Sequence, residues 1–95
     1  MNIYKYIKNP AYEVSDMGEY LSVFTGNMEQ VFIFRDSEIT VFNLFYKAIS
    51  IDKVIRILIN LYAESEADKV SIKNDCEHFI TNLIKNKILI EYVTE

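Results

Sequence analysis

Ninety-five residues, 51% of them hydrophobic and including seven Tyr and six Phe, allow one small domain with its own core. Ten Lys plus Arg against fourteen Asp plus Glu give a formal net charge of −4, which weighs against binding a phosphate backbone through bulk charge. Cys76 is the single cysteine, which excludes an internal disulfide framework and fits a reducing compartment. No apolar run at the start reads as a secretory signal, and none along the chain is long enough to span a bilayer, so a cytoplasmic domain is expected.

Residues 1–11 alternate weakly, with Ile3, Lys5 and Ile7 on one side and Tyr4 and Tyr6 on the other, and Pro10 interrupts them. They read as an extended arm or an edge strand, able to cover part of a groove. Three short antiparallel strands follow: residues 12–16, 20–25 and 30–34. The turn Asp16-Met17-Gly18-Glu19 joins the first two, with Gly18 available for positive φ. Gly26-Asn27 marks the second turn. Phe32 and Phe34 are expected to face the helices, and Val31 and Ile33 the opposite side.

The period then changes from two to about 3.6, so a strand feeds directly into a helix. Asp36 or Ser37 is the expected cap of this first helix, which the pattern carries to about Ala48 with Ile39, Phe42, Phe45, Tyr46 and Ile49 on one face. Ser50 caps a second helix running to about Tyr62, its main stripe Val54, Leu58, Leu61 and Tyr62, which Ile51, Ile55, Ile57 and Ile59 widen toward burial on more than one side. Residues 63–69 read as a polar connection with room for a helical turn, and Ser71 as the cap of a third helix to about Lys85. Ile72, Cys76, Phe79, Ile80, Leu83 and Ile84 recur at spacings of three and four along it. Asn86 ends it, and residues 88–93 form an apolar extended tail. The expected fold is α+β and winged-helix-like: a three-stranded antiparallel sheet, three helices and a short C-terminal extension, in a single domain spanning 1–95.

No catalytic constellation is visible, and no enzyme activity, metal or cofactor is expected. His78 is the only histidine, and with Asp75 it falls short of the three or four ligands that zinc wants. Cys76 lies on the apolar stripe, two residues from His78, and i,i+2 side chains do not face each other on a helix. Gly18 and Gly26 are the only glycines, so no phosphate-cradling loop exists. Glu64, Glu66 and Asp68 lie in a solvated stretch without an apolar setting. A winged-helix reading would make the third helix the DNA reader, through Lys73, Asn74, Glu77, His78, Thr81 and Lys85, but acidic side chains interrupt that face.

The order of these pieces resembles the PqqD-like family: the chaperone of pyrroloquinoline quinone biosynthesis and the recognition elements that bind leader peptides of ribosomally made, modified peptides. The residues that carry the resemblance are Gly18-Glu19, Gly26-Asn27, the apolar strand Val31 to Phe34, Arg35, Ser37 and Phe42. They continue with Ser50 and Tyr62, then Asp75, Phe79-Ile80 and Leu83, and the tail Ile88 to Ile90. The likeness covers roughly residues 12–92. Two positions depart from the pattern. Arg35 stands where an Asn is usual, and Lys87 where a glycine is usual, with Asn86 expected to take over the glycine's conformational role.

The resemblance implies a non-enzymatic adaptor that binds the leader of a precursor peptide and presents it to a modifying enzyme or leader peptidase, as in lasso-peptide pathways. It places the peptide on the third strand, Gln30, Val31, Phe32, Ile33 and Phe34, beside the third helix. Edge addition through backbone bonds fits that role. Val31, Ile33, Lys73, Cys76, Glu77 and Ile80 are the expected lining, with Phe32, Phe34, Phe79 and Leu83 as floor or core. Lys73 and Glu77, one turn apart, read either as a solvated ion pair or, in contact with the peptide, as the charges that set its register. An open edge can equally pair with a second copy, so a homo-oligomer stays open as an alternative.

Overall fold

The computed structural model describes residues 4–26 and 29–93. Its elements are β1 (Lys5–Lys8), β2 (Tyr12–Asp16), β3 (Tyr20–Thr25), β4 (Val31–Arg35), α1 (Ser37–Asn43), α2 (Ile51–Tyr62), α3 (Glu66–Lys85) and β5 (Leu89–Tyr92). Strands β2, β3 and β4 form an antiparallel sheet in that order, and three helices and a short strand follow it. This is the expected α+β architecture. Ile3 of the arm and Asn27 of the second turn lie outside the described residues.

The β2–β3 turn is closed twice. Met17 N–H donates to the Tyr20 carbonyl at 2.9 Å, and Gly18 N–H donates to Asp16 Oδ1 at 2.9 Å. Gly18 takes φ 91°, a conformation costly for any residue with a Cβ. On the covered face of the sheet, Leu21, Val23 and Phe34 are buried, with Phe32 partly so. They pack with Val41, Phe42 and Phe45 from the α1 region and with Val54, Leu58, Ile80 and Leu83 from α2 and α3. Phe34 joins sheet to helices through two ring contacts: Phe42 at 5.2 Å and an edge-on Phe79 at 5.3 Å between centroids.

The N-terminal arm is a strand, and its partner is the C-terminal tail. β1 pairs antiparallel with β5, from Lys5 opposite Tyr92 to Lys8 opposite Leu89. Tyr6 also exchanges both backbone bonds with Ile49, at 2.9 and 3.0 Å. That exchange explains why α1 stops early. The pattern extends the first helix to Ala48, but α1 ends at Asn43 and a 3-10 turn, Leu44–Tyr46, follows. Residues beyond the turn must be extended to meet Tyr6, and Lys47 already has φ −134° and ψ 164°. Tyr46 consequently points outward, 68% exposed, while Val41 takes the buried place on this face.

Several caps differ from expectation. Asp36 holds the N-cap position of α1 at φ 52°, ψ −124°, and no side-chain cap bond forms there. Glu38 reaches back instead, its Oε1 accepting from Arg35 N–H at 3.1 Å. Ser50 does cap α2, accepting from Lys53 N–H at 3.2 Å. Leu61 and Tyr62 at the end of α2 are exposed, against expectation, while Ile55 of the widened stripe is buried. The third helix starts a turn and a half before Ser71: Ser65 caps it, accepting from Asp68 N–H at 3.1 Å. Glu66 and Asp68 sit in that first turn, where the helix dipole favours negative charge. The polar composition that reads as a connection is the solvated first turn of the helix.

At the other end of α3, the left-handed residue is Lys87, φ 60°, not Asn86. Lys87 N–H donates to the Ile84 carbonyl at 3.0 Å and Ile88 N–H to the Leu83 carbonyl at 2.9 Å, a Schellman closure. Asn86 keeps φ −88° and serves otherwise: its side chain donates to the Asn82 carbonyl, and its own carbonyl accepts from the Tyr12 hydroxyl, both at 2.9 Å.

Candidate functional site

The open edge of β4 follows from the hydrogen-bond parity of the sheet. Met17 and Tyr20 are a bonded pair across the β2–β3 turn, so along β3 the residues Tyr20, Ser22 and Phe24 bond toward β2. Leu21 and Val23 then bond toward β4, to their partners Phe34 and Phe32. Val31, Ile33 and Arg35 are therefore the residues of β4 whose N–H and C=O point away from β3. Arg35 bears this out independently, since its N–H is taken by Glu38. β4 is the terminal strand of its sheet, and among the described residues no hydrogen bond uses the outward groups of Val31 or Ile33. The described part of the arm, engaged with β5 and Ile49, leaves this edge uncovered.

Side chains alternate against this backbone pattern. Val31 and Ile33 are 47% and 42% exposed on the face away from the helices, as the sequence pattern places them. Phe32 and Phe34 lie on the helix side. A chain paired to this edge would turn the residue opposite Phe32 toward the helices, and its neighbours outward, because directly opposed residues share a face.

Where β4 ends, a cleft of about 550 Å³ opens among α1, α2 and α3, within the size range of ligand pockets. Val41, Leu58, Ile72, Cys76 and Phe79 supply its apolar floor. Ser37 and Glu38 form the rim on α1, Tyr62 on α2, and Asp75, His78 and Asn82 on α3. Of the α3 residues expected to line a groove, Cys76 does so. Ile80 is fully buried in the core, and Lys73 and Glu77 are exposed on another side of the helix. Gln30 is exposed just before β4. The sequence stripe already contained Ile72, Cys76 and Phe79; Asp75 and Asn82 flank that stripe at helical spacing. Glu38 carried no signal beyond an acidic side chain in a first turn.

Cys76 is 4% exposed, and burial, with the Glu77 charge adding to it, pushes its thiol from 9.0 up to about 11. Such a thiol is a poor nucleophile at neutral pH. Among the described residues no group of three or more His, Cys, Asp or Glu could hold a metal ion, and no helix is long and apolar enough to cross a membrane.

Comparison with protein-family models, curated proteins and solved structures returned no match for this chain. Its topology is that of a small α+β domain consistent with a winged-helix or PqqD-like fold, and it is compatible with a small peptide-binding module.

Proposed function

We propose that this chain is a non-catalytic adaptor that takes the leader region of a ribosomally synthesised precursor peptide as an added strand on β4 and presents it to a modifying enzyme or leader peptidase. The observation that supports this reading is the pair of backbone sites at Val31 and Ile33, unpartnered among the described residues, on an edge that the described part of the arm does not fill. Four backbone bonds to these two residues would give affinity with little sequence reading. Side chains facing the helices would supply the reading, through Phe32 and the adjoining cleft. Rigid scaffolding suits the role: β4 is fixed by β3 on one side and by the Phe34 ring contacts beneath.

Calorimetric titration with leader peptides encoded beside this gene tests the proposal. Micromolar binding with a negative heat-capacity change is the expected result. Absence of binding to every such peptide at high micromolar concentration would contradict it.

A further inference from the structure

The cleft rim is rich in acceptors and poor in cations. Of the residues that line the cleft none is Lys or Arg, whereas Glu38 and Asp75 both face it. Asp75 is exposed, and its carboxylate has no hydrogen bond or ion pair among the described residues. Glu38 spends one oxygen on Arg35 N–H and keeps the other. Beneath them, Val41, Ile72 and Phe79 offer apolar surface. An apolar floor under a carboxylate rim matches a long cationic side chain, whose methylene stem packs while its head group stays at the water boundary.

Building on the strand-acceptor reading, we infer that the cleft selects a Lys or Arg in the docked segment, with its stem on Ile72 and Phe79 and its head group at the Glu38 and Asp75 carboxylates. β4 runs toward Arg35, and the cleft mouth at Ser37 and Glu38 follows at once. A segment continuing the antiparallel sheet enters from that end, so the cation precedes the residues that pair with Ile33 and Val31. The protein's negative net charge would speed the encounter with such a segment. Rim charges act in high dielectric, so each carboxylate contributes roughly a two- to fivefold gain in affinity, and less as salt rises.

A random-peptide display library selected on the full chain tests this, followed by anisotropy with a synthetic winner. Winners are expected to carry Lys or Arg on the N-terminal side of alternating apolar residues. Replacing that cation by Glu should weaken binding, as should Asp75→Asn or Glu38→Gln on the protein, the latter retaining an acceptor for Arg35 N–H. Asp75→Lys should restore the Glu-bearing peptide. Winners that bind equally with Lys or Glu, and ignore Asp75→Lys, would overturn the charge selection while leaving strand docking intact. A library that yields no winner overturns strand docking itself, and the charge selection with it.

Discussion

Among the described residues, two carry positive φ without being glycine, and both sit at junctions between elements. Lys87, φ 60°, turns the chain from α3 into β5, and Asp36, φ 52°, ψ −124°, turns β4 into α1. Residues with a Cβ pay for such backbone angles, whereas glycine adopts them freely. Lys87→Gly is expected to raise stability by about 0.5–1 kcal/mol, and Asp36→Gly by about 1–2 kcal/mol, in urea denaturation. A loss at Asp36 would mean that its side chain contributes more than its backbone angle costs. Cys76 adds a pH dependence with a definite sign. Its folded pKa is raised to about 11 from 9.0, so the unfolded chain ionises first as pH rises. The folded state then holds the extra proton, and stability falls between those two values, by about 2–3 kcal/mol from this group at the top of the window. Lys8 acts in the opposite sense. Burial lowers its pKa below 10.5, so discharging it relieves the folded state as pH rises through that lowered value toward 10.5. Alkaline titration of Cys76→Ala should lack the loss seen in the parent chain. Equal alkaline loss in both would assign it elsewhere.

The elements are held by local chemistry at their ends and by one long-range clasp. Lys8 of β1 lies 4.2 Å from the Phe42 ring centroid and donates to Asn43 Oδ1 at 3.2 Å, tying the arm to the end of α1. Lys8→Met keeps the stem and removes both contacts together with the charge that burial penalises, at an expected net cost of about 0.5–1 kcal/mol by thermal melting. An unchanged melting temperature would show that the clasp rests on the backbone pairing alone. Ser65→Ala should cost about 1 kcal/mol by removing the cap of α3, and Ser71→Ala next to nothing. How far these elements could be read in advance depends on whether local pattern or distant pairing decides them. The strand faces were legible, because Leu21, Val23 and Phe34 alternate with polar or exposed positions and burial follows the alternation. Ser50 and the span of α2 were legible through the cap chemistry. The end of α1 was not, because Tyr6, far back in the chain, draws Ile49 into an extended bridge and overrides a good helical pattern. The start of α3 was hidden because its first turn is solvated and has no apolar periodicity to reveal it. At the candidate site, the strand edge was legible and the cleft only in part. Cys76 and Phe79 belonged to a stripe, but Glu38 enters through the fold of α1 against α3, which no local pattern reports.

The whole molecule is a thin scaffold, 18 Å along its shortest axis, in which β4 is a terminal strand of the sheet. The first and last strands pair with each other: β1 and β5 close a separate two-stranded ribbon, and the three-stranded sheet keeps its β4 edge. The other edge, β2, has outward backbone groups as well, at Val14 and Asp16, with Tyr12 N–H bonded to the Asn9 carbonyl at 3.1 Å; what sets β4 apart is the cleft at its end. The alternation along β4 gives the account its most direct test: backbone-resolved amide exchange with and without a leader peptide, read one residue at a time. Val31 and Ile33, whose N–H groups face outward, should become protected on binding, while Phe32 and Phe34, already bonded to β3, should change little. Protection at β2 in their place, or binding that leaves Val31 and Ile33 unprotected, would contradict strand addition at this edge.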